Sequence, residues 1–531
     1  MPPYASSSSS EPGRLLSVKE SLMAVLGLAF LVMMVAVDQT VVGTALPTVI
    51  ADLKGFELYA WVATAYLLTS VITIPIFGRL GDYYGRKPFV ITSILIFTAA
   101  SIACGLAQSM MQLVIGRAVQ GVGGGMLIGT AFACIPDLFP DPRTRLRWQV
   151  ILSSAFGIAN AFGPTLGGFL TQYVGWRFVF FVNLPLGLVS LYFVWRYLPY
   201  IRPPRKQGHS LDWLGALLIM AGLGSLQMFV EFFATQGISF AVLGLALACI
   251  ASFWALIAWE KRCPEPIIPL ELFRNKGLVA LFLLSLFTGV VMFVLLFYLP
   301  LLLQGGFGLD PRQVGVLITP MVVCITVGSL TSARIVLRLS RPTYILYGGF
   351  VLLVAACLGL ATTQQSTSRI LLNLYMVLAG VGLGFIMPNL TVFVQEMAGR
   401  SLLGISTGVM QSVRMIGGML GTTVVGSIVS QYYVMQVHRA VPDQTETSWF
   451  PLLLDPQVLV NHLTQSAFVA ELQRSGLHGD VYIEAARSAL VGGIHAGLFA
   501  AMAVAVLGVV WVYRVPLIQF SRSAGSTAGK S

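Results

Sequence analysis

Apolar runs of about 20 residues or more recur along nearly the whole chain from Ser21 to Val515, broken by short polar stretches rich in Gly and Pro. At 1.5 Å per residue, roughly 20 apolar residues in a helix cross the hydrocarbon of a bilayer. The pattern predicts fourteen spans, at about 21–45, 58–78, 88–107, 110–134, 148–172, 177–198, 212–233, 238–259, 277–302, 312–334, 342–362, 370–394, 404–430 and 490–513. This is the pattern of an all-α polytopic membrane protein. Two basic, Pro-rich segments, 199–211 and 260–276, divide the spans into six, two and six. The expected organisation is a polar tail at 1–20, a six-helix bundle at 21–198, a linker with two inserted helices at 199–276, a second six-helix bundle at 277–515 and a tail at 516–531. A polar stretch at 431–489 interrupts the second bundle. Its apolar Trp449 to Leu454, followed by helical periodicity through Leu472, predicts amphipathic helices lying on the outer surface.

Composition agrees with the pattern. Apolar residues make up 56% of the chain and charged ones 10%, against about 45–50% apolar in soluble domains. The first apolar run is too long for a signal-peptide core and is expected to stay as an anchor. An even span count puts both termini on one side, and with that side cytoplasmic 23 of the 32 Lys and Arg fall there. Seven fall outside and two, Arg117 and Arg414, lie within spans. Cytoplasmic loops are the basic ones, so the net charge of +11 reports topology in a cell membrane rather than nucleic-acid binding. The six cysteines (104, 134, 249, 263, 324, 357) lie in or beside apolar runs with no metal-ligand spacing, and read as packing residues. The glycines at 121–125 sit inside an apolar helix rather than after a strand, the five histidines are scattered, and no nucleotide-binding domain is present. The chain therefore reads as no enzyme, with no metal and no cofactor; monomer is the default.

The polar residues inside spans carry the chemistry. Asp38 stands in AVDQTVVGTALP, and a carboxylate in a span costs roughly 2.5–3.5 kcal/mol on insertion scales. Such a group is the kind that loads and releases a proton, or that holds neighbouring helices by hydrogen bonds. Arg117 shares a helix face with Gln120, Gly121, Gly124 and Gly125, which places an Arg in line with a bare strip where another helix can approach. Asp38 and Arg117 lie roughly 10 and 12 Å from the outer ends of their spans, a matching depth that makes them expected neighbours. Arg414 lies near the midplane with no obvious acid in the second half, in a structural or a functional role. Glu231, toward the outer end of its span, is either solvated or a group that handles protons or cationic substrate. The run Gly157 to Gly168, with Gly163, Pro164, Gly167 and Gly168, predicts a kinked, closely packed helix suited to a pivot.

A charged hinge, Gly78 to Pro88, lies between the second and third runs. Gly78, Asp82, Gly85, Arg86 and Lys87 match the G-x-x-x-D-x-x-G-R-K pattern between helices 2 and 3 of the major facilitator superfamily, which the chain resembles. Arg117 with Gln120 and Gly121 is similar to its helix-4 pattern, and Gly163-Pro164 with Gly167-Gly168 to the helix-5 pattern of its antiporters. The segments 38–47, 176–185 and 266–273 resemble the fourteen-helix drug:proton branch. The chain departs from these patterns at Tyr83 and at Ala159. The resemblance implies two six-helix bundles rocking about a central site, proton coupling at Asp38 under the influence of Arg117, a pivot in helix 5, and a cytoplasmic latch joining the hinge to Asp137. It implies a proton-driven exporter of hydrophobic, cationic or neutral drug-like compounds; export of a cell-made metabolite, siderophore or lipid stays open.

Overall fold

The computed structural model describes residues 18–139, 142–200, 212–263, 266–267, 269–336, 338–440, 449–454, 456–459, 465–466, 468–469, 472 and 479–516. The terminal tails and most of the first linker lie outside the described residues. Among those described, secondary structure is helical. The first bundle holds α1 (Val18–Leu53), α2 (Tyr59–Tyr84), α3 (Arg86–Gly105), α4 (Met110–Leu138), α5 (Pro142–Tyr173) and α6 (Arg177–Tyr197). Next come α7 (Trp213–Gln236) and α8 (Phe240–Glu260), then α9 (Lys276–Leu301), α10 (Pro311–Val336) and α11 (Tyr344–Ala361). The last three are α12 (Arg369–Ala398), α13 (Ile405–Ala440) and α14 (Gly479–Trp511).

Side-chain caps start several of these helices by accepting from otherwise unpaired backbone N–H groups. Ser109 does so for α4, Asp212 for α7, Ser239 for α8 and Asn275 for α9. Thirteen helices among the described residues are long and apolar enough to cross a membrane. The fifth expected span corresponds to α5, many of whose side chains lie outside the described residues. Its 32 residues reach about 48 Å, and it packs between α1 and α10. Helical hydrogen bonding is continuous from Arg369 to Ala440, yet Gln395 Nε2 donates to Thr407 Oγ1 at 3.2 Å. Twelve residues of straight helix would separate them by about 18 Å, so the chain reverses between α12 and α13.

Two expected boundaries shift. α1 continues eight residues beyond the expected 45, through Pro47 to Leu53. The hinge between α2 and α3 shrinks to Gly85, whose φ of 84° favours glycine. Gly78 and Gly81 continue α2 and pack on α4, with Gly129 and Thr130 facing them.

We call the side on which α1 begins the near side and the opposite one the far side. Helices α1 to α6 pack among themselves, as do α9 to α14, while α7 pairs with α8 and reaches α2 and α13. Hydrogen bonds join the bundles along the far half. Thr48 Oγ1 donates to Gln304 Oε1 (3.0 Å), Gln304 Nε2 to Thr44 O (2.7 Å), and Tyr59 Oη to Phe297 O (2.6 Å). Thr64 meets Thr422 at 3.2 Å and Thr165 meets Thr319 at 2.5 Å. The described part of the 431–489 stretch packs on helix ends rather than lying apart on a surface. Trp449, Phe450 and Leu453 are buried, Tyr433 Oη donates to Leu453 O at 2.7 Å, and Trp449 lies 5.0 Å from Tyr482. An apolar stretch that finds partner side chains buries its surface there instead of at a lipid interface.

Candidate functional site

The glycine strip of α4 builds the site. A Cβ at Gly121, Gly125 or Gly129 would collide with backbone of α2 at Tyr66, Ser70 or Ile74, so α2 lies flat on the strip and Ser70 Oγ donates to Gly121 O at 2.9 Å. This approach brings Val62 and Tyr66 to the guanidinium of Arg117. Arg117 Nε donates to Val62 O at 3.2 Å, and its Cζ stands 4.5 Å above the Tyr66 ring.

Asp38 of α1 faces Arg117 directly, Nη1 to Oδ2 at 2.6 Å, with side-chain exposures of 0% and 1%. Its other oxygen, Oδ1, accepts from Gln120 Nε2 at 2.7 Å and Asn183 Nδ2 at 2.9 Å. Gln120 Oε1 accepts from Arg117 Nη1 at 2.5 Å, and Ser101 Oγ accepts from Gln120 and Asn183 at 2.8 and 3.2 Å. Five helices thus contribute to one closed polar network, and all belong to the first bundle. A buried charge needs this: unpaired, it would cost several kcal/mol, roughly 3–5 when one partner is removed. The network has zero net charge and leaves both carboxylate oxygens satisfied.

The chemistry follows from what each group can carry. Arg is always protonated, whereas a carboxylate accepts only until it takes a proton and becomes a donor. Protonation of Asp38 would remove the anion that Arg117 binds. In this conformation the pair is sealed from solvent and apart from the space between the bundles.

The structure distributes the other expected residues differently. Glu231 of α7 lies against Trp61 and near Tyr298, on the far side. Arg414 belongs to α13 of the second bundle and takes no part in the hydrogen bonds of the network. In the helix-5 run, Gly163 and Gly167 face Thr40 and Thr44 of α1, within the first bundle, while Gly168 and the Pro164 carbonyl face Pro311 and Gly315 of α10. Among the latch residues, Lys87 Nζ donates to Trp195 O at 2.8 Å, which ties the start of α3 to the negative end of α6. The side chains of Asp82 and Asp137 lie outside the described residues, so their contact with the hinge is not part of this structure. All six cysteines are free. No group of three or more His, Cys, Asp or Glu close enough for a metal occurs among the described residues. An apolar hollow of about 560 Å³ lies between α3 and α4.

Comparison with known proteins gives the frame for this geometry. A model of the Major Facilitator Superfamily matches residues 28–422. The chain belongs to the major facilitator superfamily. As a member it is a multi-pass, non-enzymatic carrier. It is 32% identical over 412 residues to the multidrug transporter protein MdtP of Bacillus subtilis, covering 77% of this chain and 75% of that one. It is also 31% identical over 418 residues to multidrug resistance protein 3 of the same organism, at 78% and 81% coverage. A solved bacterial homologue of the human lysosomal transporter Spinster, inward-facing and unoccupied, superposes with TM-score 0.64 at 16% identity, covering 96% of this chain and 100% of that one. That likeness concerns the fold alone.

Sequence reasoning singled out Asp38 and Arg117 because charges in spans are costly. It did not single out Ser101 or Tyr66 as members of the site. Uncharged polar and aromatic residues are frequent in membrane helices, and only the packing of α2 on the glycine strip brings these two to the ion pair.

Proposed function

We propose that the protein is a proton-coupled efflux transporter that exports hydrophobic drug-like compounds in exchange for protons by alternating access. The observation that carries this reading is the sealed Asp38–Arg117 pair lying in one bundle while the far halves of both bundles are joined. Relatives named as multidrug transporters support export as the direction. With the basic loops cytoplasmic, the near side is the cytoplasm, both termini lie there, and this conformation faces inward. An inward-facing carrier loads substrate from the cytoplasm. Proton arrival at Asp38 from outside accompanies the return from the outward-facing state, and proton loss inward restores the ion pair. Arg117 sets the balance by rebinding the carboxylate. The gradient is the energy source, so no cofactor is required, and one chain in the cell membrane suffices.

The test uses proteoliposomes with an acidic lumen and the neutral fluorophore 4-(1-pyrenyl)butanamide. Protein whose near side faces outward should concentrate the amide in the lumen, and a protonophore should abolish accumulation. Accumulation indifferent to the gradient would remove the proton-coupled reading.

A further inference from the structure

We infer that the interior space of this carrier selects amphipathic substrates bearing an acid group, a carboxylate or its equivalent, and that Arg414 recognises that group. The inference rests on the reading of the chain as an exporter and specifies the charge of what it exports.

Arg414 differs from Arg117 in every respect that matters to a ligand. Among the described residues its side chain has no hydrogen bond and no ion pair, and most of it is withdrawn from solvent. Its own α13 neighbour Gln411 keeps a buried Oε1 without a partner, so the guanidinium does not turn to that acceptor. From Ile405 to Thr423 no residue of α13 is exposed; the first is Val424. This length of helix therefore shows no exposed lipid-facing side chain, and on this reading the accessible part of Arg414 opens onto interior space.

The level of Arg414 places that space. Thr422 and Thr423 meet Thr64 where the bundles join, and Arg414 lies nine residues before Thr423, roughly 13 Å toward the near side. Substrate entering from the near side therefore meets Arg414 before the closed seam. The charges around it do not neutralise it. Asp38 is matched by Arg117, Glu231 lies beside Trp61 beyond the seam, and Glu396 sits at the near end of α12. Among the described residues, the mid-membrane groups on the near side of the seam, Asp38, Arg117 and Arg414, sum to one positive charge. A guanidinium in water-poor surroundings pairs with a carboxylate through parallel hydrogen bonds. Its helix neighbours Val413, Met415 and Ile416 are apolar, so the favoured partner is an acid on a hydrophobic body. This revises the expectation of cationic substrate.

Three probes that differ only in charge test the inference: 4-(1-pyrenyl)butanoate, its neutral amide and 4-(1-pyrenyl)butylammonium. Binding is read by energy transfer from tryptophan in lipid nanodiscs, with empty nanodiscs subtracted. The wild-type protein should bind the butanoate at least about tenfold more tightly than the ammonium, as one charge-assisted contact supports. Arg414→Gln should abolish that preference and Arg414→Lys should retain part of it. Equal or tighter binding of the ammonium by the wild-type protein overturns the inference. So does an unchanged preference in a folded Arg414→Gln protein. Gradient-driven movement of the neutral amide is read separately; its failure removes the exporter reading and not the charge selectivity.

Discussion

A methyl group added at Gly168 should shift the carrier away from the conformation described above. The ideal Cβ of an alanine there would lie 3.1 Å from the Pro311 carbonyl carbon and 3.2 Å from Gly315 Cα, and closer still to the Pro311 oxygen. These are backbone atoms of α10 and cannot rotate away. Overpacking of this kind costs about 1–3 kcal/mol. The cost falls only on the state in which α5 and α10 touch, because opening the far side separates them. At about 1.4 kcal/mol per factor of ten, Gly168→Ala should raise the far-side-open population roughly 5- to 150-fold. Spin labels at the exposed positions Val174 and Asp310, in protein with the native cysteines replaced, would report the distance across the far side. The wild-type protein should show mainly the short distance, and Gly168→Ala a new long component. Gly163→Ala supplies the contrast: its Cβ would crowd Thr40 inside the first bundle, which lowers thermal stability without moving the distance. An unchanged distance distribution in folded Gly168→Ala protein would refute the assignment of Gly168 to the moving interface.

Arg117→Met leaves the Asp38 carboxylate buried without its cation and should cost about 3–5 kcal/mol, seen as a lowered unfolding temperature in detergent; Asp38→Asn/Arg117→Met should recover most of it. A double variant no more stable than the single one would mean that the pair is not the source of the cost. Gln304→Leu removes two hydrogen bonds across the far seam, to Thr44 and from Thr48, at about 0.5–1.5 kcal/mol each. It should raise the same long-distance component as Gly168→Ala, and a purely short distance would place the holding force of the seam elsewhere.

Much of the fold is written in hydropathy, because a span must hide its backbone in a helix whatever its neighbours. Hydropathy placed α5 as a span but not what its small residues do. Its glycines at 157, 163, 167 and 168 serve contact with α1 and α10. Asp38 and Arg117 were legible as a pair through the cost of charge in a membrane. The network around them was not, since Ser101 and Asn183 carry no such cost and reach Oδ1 of Asp38, or each other, only through packing. The hinge was legible as a turn but not as one residue: Gly78 and Gly81 resemble loop glycines and instead make room for α4. Likewise nothing in sequence separates Gly163 and Gly167 from Gly168, which differ in the bundle they face. Arg414 was visible as an anomaly, and its meaning depended on the enclosure of α13.

The central claim, that Asp38 carries the coupled proton, is tested most directly by proton movement that substrate evokes. Proteoliposomes with an acidic lumen and a trapped pH dye should lose luminal protons when 4-(1-pyrenyl)butanamide is added to the wild-type protein. Asp38→Asn should still bind the amide but release no protons. Release from Asp38→Asn vesicles at the wild-type rate would contradict the account.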